Sequence, residues 1–215
     1  TIIIVLFSCI ASNIITERAA ISQQKIISNK TDEKRKEKLM VLVHNPATTA
    51  NLMDTVMALR TPKSRTETVG LHITINGEHA NKYMQSGKSE LEHAASIAAA
   101  ADMPFTIHNR LGNNIVDSIK HASEEYEATD LIMGLADIRN VTRKYYEDFI
   151  LSVTAKNRQQ TFFVRINTPV NMIRRIVVII PEQFTLSPGF LKSMEYIGRL
   201  GTSIGCSTHF YGNES

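Results

Sequence analysis

Five short apolar runs, separated by stretches with helical spacing, constrain this chain more than any other feature. The runs lie at 39–43, 68–75, 105–108, 130–134 and 161–166. Leu39-Met40-Val41-Leu42-Val43 is apolar throughout, as strands buried on both faces of a parallel sheet are. Asn45-Pro46 breaks that run. Thr48 or Thr49 is the expected cap of a helix carrying Leu52, Met53, Val56 and Leu59, which Thr61-Pro62 ends. Further helices are expected over about 79–101, where the end is rich in alanine, then around Ile115, Val116, Ile119 and Ala122, and around Tyr145, Phe149 and Val153. Strict strand–helix alternation predicts right-handed parallel crossovers and a three-layer α/β sandwich with a parallel sheet. Ligands of such sheets sit beyond the carboxyl ends of the strands. The run at 161–166 is expected at a sheet edge, where it could pair with another chain.

After Pro169 the pattern begins again. Ile173-Arg174-Arg175-Ile176-Val177-Val178-Ile179-Ile180-Pro181 echoes the first run and its proline. Phe190 to Leu200 echoes the first helix, and Cys206 to Tyr211 echoes the second run. An incomplete second repeat is therefore expected over 169–215, after a first unit over 39–168. Two strands and a helix cannot bury a core alone, so this piece must pack on the first unit or on another chain.

The opening differs in kind. Residues 1–21 begin Thr1-Ile2-Ile3-Ile4-Val5-Leu6-Phe7 and continue through Ile10, Ala11, Ile14 and Ile15. This run is shorter than the roughly 20 apolar residues of a spanning helix. It reads as the end of a transmembrane or other apolar helix, or as a core element. A charged linker follows over 22–38, with Lys25, Lys30, Lys34, Arg35, Lys36 and Lys38, diluted by Asp32, Glu33 and Glu37. Basic residues behind an apolar helix fit the cytoplasmic side of a membrane. A net charge of +3 argues neither for nor against nucleic acid, and none is expected as a partner. Cys9 and Cys206 form no disulfide framework.

Three stretches are distinctive: Asn114-Ile115-Val116-Asp117-Ser118-Ile119 with Glu124-Glu125-Tyr126, Thr129-Asp130-Leu131-Ile132-Met133-Gly134, and Leu71-His72-Ile73. Through them residues 39–166 resemble the universal stress protein family. Val41-Leu42-Val43-His44-Asn45-Pro46 is similar to the start of the stress-protein-like tail on some bacterial sodium/proton antiporters. That resemblance implies a non-enzymatic regulatory domain at the cytoplasmic face of the bacterial inner membrane. It also implies a membrane part of the same antiporter as partner, and a homodimer. Transport would be modulated through domain association or ligand sensing. The alternatives are a nucleotide-binding domain of stress-protein type, with ATP or AMP as ligand, and a dimerisation module without ligand.

Nucleotide-binding members carry an acidic residue after the first strand and a glycine motif after the fourth. Here Pro46 takes the acidic slot, Asp137 the second glycine slot, and Leu151-Ser152 the late Gly-Ser slot. The pocket the resemblance implies would be formed by His44, Asn45, Pro46, Thr48, Ile73, Met133, Gly134 and Ser152, with its motif degraded. Arg139, Arg143 and Lys144 could supply positive charge at the same rim. His44, His72 and His108 could cluster near the carboxyl ends of the strands, and His44 could sense pH. No recognised metal-ligand spacing and no Gly-x-Ser-x-Gly elbow occurs, so neither metal nor catalytic residues are expected.

Overall fold

The computed structural model describes residues 5–7, 37–60, 66–135, 143–165, 168–181, 187 and 189–212. In chain order the elements are β1 (Val5–Phe7), β2 (Lys38–Leu42), α1 (Pro46–Leu59), β3 (Glu67–Ile75), α2 (Ala80–Ala100), β4 (Phe105–Gly112), α3 (Ile115–Glu125), β5 (Asp130–Gly134), α4 (Arg143–Lys156), β6 (Gln160–Val164), a 3-10 turn (Val170–Met172), β7 (Arg175–Ile180), α5 (Phe190–Ile204) and β8 (Ser207–Gly212).

Strands β2 to β6 form a parallel sheet in the order β6-β5-β2-β3-β4, and β1 adds antiparallel to β6. The wholly apolar β2 lies at the centre, between β3 and β5. One sheet face carries Leu39, Val41, Ile132, Phe162 and Val164, packed with Leu52, Met53 and Val56 of α1 and Leu91, Ala94 and Ala98 of α2. The other carries Met40, Val69, Leu71, Ile73, Leu131, Met133 and Phe163, packed with Val116 and Ile119 of α3 and Val153 of α4.

That strand order creates a packing problem. Right-handed crossovers through β2, β3 and β4 lay α1 and α2 on the first face, and the crossovers to β5 and β6 lay α3 and α4 on the second. The β5–β6 half of the first face receives no crossover helix. Helix α5 covers it. Tyr196, Ile197 and Leu200 join the first-face core, and the Tyr196 ring meets Phe162 edge-on at 4.8 Å. Strands β7 and β8, joined by α5, pair in parallel as a separate two-stranded sheet. The second unit thus packs on the first.

Polar contacts fix α5 along the edge of the sheet where β5 begins. Asp130 has no solvent exposure, and Lys192 Nζ lies 2.8 Å from its Oδ1. Burial pushes the Asp130 carboxyl up, and the Lys192 ammonium pulls it back. Arg199 Nη1 lies 2.7 Å from Glu37 Oε1. Gln160 Nε2 donates to Ser193 Oγ at 3.2 Å.

Several expectations are corrected here. Glu37 and Lys38 belong to the fold rather than to a linker, because Glu37 pairs with Arg199 and Lys38 opens β2. The rest of the 22–38 segment lies outside the described residues. Of the 1–21 run, only Val5–Phe7 are described, and they form a strand rather than a helix. Strand β6 is not an edge, since β1 pairs along it. Strand β4 runs four residues beyond His108, because Asn109 to Gly112 stay in register with His72 to Ile75 despite their polarity. The cap of α1 is Asn45, not Thr48 or Thr49.

Tyr196 is 1 % exposed. Tyr196→Ala should therefore cost about 3–5 kcal/mol of stability, the range for emptying a buried aromatic site. Urea denaturation followed by circular dichroism would show it as a lower midpoint.

Candidate functional site

Beyond the carboxyl ends of β2, β3 and β5, the chain builds a polar rim around the start of α1. Asn45 adopts an extended conformation (φ −130°, ψ 115°), and its Oδ1 accepts from the Ala47 N–H at 3.0 Å. Pro46 takes the first helical position, where no N–H is needed and its fixed φ suits the helix. The Asn45 carbonyl accepts from Thr48 Oγ1 at 3.1 Å and from Thr49 Oγ1 at 3.0 Å. The Asn-Pro step is thus a helix-starting device.

Gly134 ends β5 against this turn. A Cβ placed on it would lie 3.6 Å from Leu52 Cδ2 and 3.9 Å from Thr48 Oγ1. These are ordinary contacts, so this packing does not itself demand glycine. His44 is exposed, and its ring stacks at 6.1 Å on that of His72. His72 is buried, and its Nδ1 lies 2.8 Å from the Val43 carbonyl. A carbonyl only accepts, so in the neutral ring the proton sits on Nδ1. Burial holds the His72 imidazole below its ordinary range. The Val43 bond opposes that shift, His44 reinforces it, and Glu90 opposes it. Glu90 Oε2, from α2, lies 3.3 Å from Thr49 Oγ1 and shares its one proton with the nearer Asn45 carbonyl.

The structure therefore brings together His44, Asn45, Pro46, Thr48 and Gly134. It does not bring the remaining expected residues to the rim. Ile73 and Met133 are buried in the second-face core, because odd-numbered positions of β3 and β5 turn away from α1 and α2. Ser152 is exposed nine residues into α4, so its hydroxyl is not at a helix start and cannot join N–H groups in cradling an anion. His108 leaves the proposed histidine cluster. Its register partner is Leu71, on the second face, and its ring stacks on Tyr126 at 4.1 Å. Asp137 and Arg139 lie outside the described residues, as does the side chain of Arg143, while Lys144 is exposed in the first turn of α4. Thr49 and Glu90 had no assigned part in the pocket. No local motif marks Glu90, since α2 and α1 meet only in the folded chain. Among the described residues, no three His, Cys, Asp or Glu side chains group to hold a metal ion, and no helix is long and apolar enough to cross a membrane.

Solved structures share this architecture. The hypothetical protein MJ0577, whose biochemical function was assigned from its structure, matches with a TM-score of 0.51 at 18% identity, over 62% of this chain and 99% of that one. The universal stress protein from Archaeoglobus fulgidus matches with a TM-score of 0.50 at 15% identity, over 60% of this chain and 98% of that one. The fold is that of the universal stress proteins. A complex of the Archaeoglobus fulgidus universal stress protein with dAMP matches at a TM-score of 0.48, with 15% identity, over 60% of this chain and 97% of that one. No protein-family model and no characterised protein matches the sequence.

Because Asn45 Oδ1 satisfies an otherwise unpaired N–H at the start of α1, Asn45→Ala should lower stability by about 1 kcal/mol. Urea denaturation would measure it. A loss within error of zero would mean that Pro46 alone sets the helix start.

Proposed function

We propose that this chain is a regulatory, non-enzymatic domain of a bacterial membrane cation/proton antiporter, working at the cytoplasmic face of the inner membrane. It acts by changing how it docks on the membrane part of the same protein, or how two copies associate. What carries this reading is the Asn45-Pro46 helix cap, which fills with a structural device the position where nucleotide-binding relatives place an acidic ligand group. The likeness of residues 41–46 to antiporter tails points the same way. A regulatory ligand or partner can bias such a domain only by binding its two states with different affinity.

The second reading is a nucleotide-binding module of the same fold, with AMP or ATP held by the backbone around Gly134 and Thr48. The closeness of the Gly134 backbone to the start of α1, where an added Cβ would lie 3.9 Å from Thr48 Oγ1, favours it.

Two measurements separate these. Isothermal titration of the chain with ATP, ADP and AMP is expected to show no saturable binding, whereas a micromolar site would favour the nucleotide module. The reading frame preceding Thr1 is expected to encode several apolar spans of about 20 residues each. A frame without them would overturn the antiporter assignment.

A further inference from the structure

Helix α2 meets the sheet in two different ways along its length. From Leu91 onward the contact is apolar, with Leu91, Ala94 and Ala98 fully buried in the first-face core. From Ala80 to Glu90 only Gly87 is buried. Beneath that half the sheet offers polar groups: His72 and Thr74 from β3, and Asn109 from β4 in register with His72. Asn109 Nδ2 donates to the Met84 carbonyl at 2.7 Å. The His72 ring presses on the helix backbone at Gly87, where a Cβ would fall 2.2 Å from Cδ2 and 2.5 Å from Nε2. Among the described residues, the buried Thr74 Oγ1 and Asn109 Oδ1 have no hydrogen-bond partner. Such atoms are satisfied by water when a segment lifts, which lowers the cost of lifting it.

We propose that residues 80–90 form a proton-released flap: protonation of His72 lifts this half of α2 from the sheet while residues 91–100 stay docked. With Nδ1 committed to the Val43 carbonyl, the added proton must go to Nε2, the atom pressed against the helix backbone at Gly87. Among the described residues no acceptor is bonded to Nε2. The charged or titratable groups acting on the ring are Glu90 from α2, which favours the proton but is engaged by Thr49, and His44 from the β2–α1 turn, which opposes it. Facing it from β4 is Asn109, and near it from α1 is Thr49, both uncharged. Burial outweighs the Glu90 attraction, so the closed flap holds His72 neutral. The open flap exposes the ring to water and restores its ordinary affinity for a proton. The docked form is therefore fully favoured above about pH 6.5 and loses ground as pH falls below it. Opening uncovers the ring on which His44 stacks, so the rim of the candidate site changes with it.

Hydrogen exchange of the intact chain, followed by mass spectrometry from pH 7.5 to pH 5.5 and corrected for intrinsic exchange, tests this. Linkage to one proton makes the opening of residues 80–90 rise over that range, by at most about tenfold. Residues 91–100 should not change, and His72→Gln should abolish the rise. A flat response in the natural sequence overturns the proposal. So does a parallel rise in both halves, which is global unfolding, or a rise that survives in His72→Gln. If His72→Gln does not fold, the ring of His72 is titrated by NMR in the natural protein. A midpoint well below about 6.5 supports the flap, and a midpoint at or above that value overturns it.

Discussion

The contact of Tyr196 with Phe162 closes a sheet that its own crossovers leave half open. Five parallel strands in this order direct two helices to each face, and both helices of the first face cover β2, β3 and β4. Phe162 and Val164 of β6 and Ile132 of β5 would otherwise meet water. Helix α5, from the second unit, supplies Tyr196, Ile197 and Leu200 to this half-face. The polar contacts at its edge, Lys192 with Asp130 and Arg199 with Glu37, orient α5 rather than drive its docking. A buried ion pair returns little net stability beyond what its desolvation costs. The apolar contact is the driving term, and the charges set the register.

The same division between apolar and polar contact sorts the helices of the first face. Helix α1 and the second half of α2 bury leucine, methionine, valine and alanine and hold the centre of the sheet. The first half of α2 rests on histidine, threonine and asparagine. The carboxyl-end rim borders this more weakly held half through Glu90 and His72. Residues that form a site need polar atoms turned toward solvent, and those atoms cannot contribute the burial that fixes a helix in place.

Much of the fold was legible because strands buried on both faces are mostly apolar. The runs containing Leu39 to Leu42 and Leu131 to Met133 stand out for that reason. The far end of β4 was not legible, since an outer strand of the parallel sheet bears polar Asn109 and Arg110 yet still pairs through its backbone. The site was legible only in part. His44, Asn45, Pro46, Thr48 and Gly134 are placed together by the turn after β2 and the end of β5. Ile73 and Met133 are adjacent in sequence to rim positions, but strand alternation turns them into the opposite core. Ser152 matched a spacing, yet α4 begins nine residues earlier, and the spacing lost its meaning.

The sequence by itself determined the alternation of strand and helix and the parallel sheet this requires, because these depend on local periodicity. Only the tertiary structure decided that α5 completes the first face, that His72 and His44 stack while His108 faces away, and that Gly87 admits a buried imidazole against a helix backbone. Each of those depends on which surfaces meet across long stretches of chain. A meeting of that kind is set by strand order and register, and no local pattern of residues encodes it.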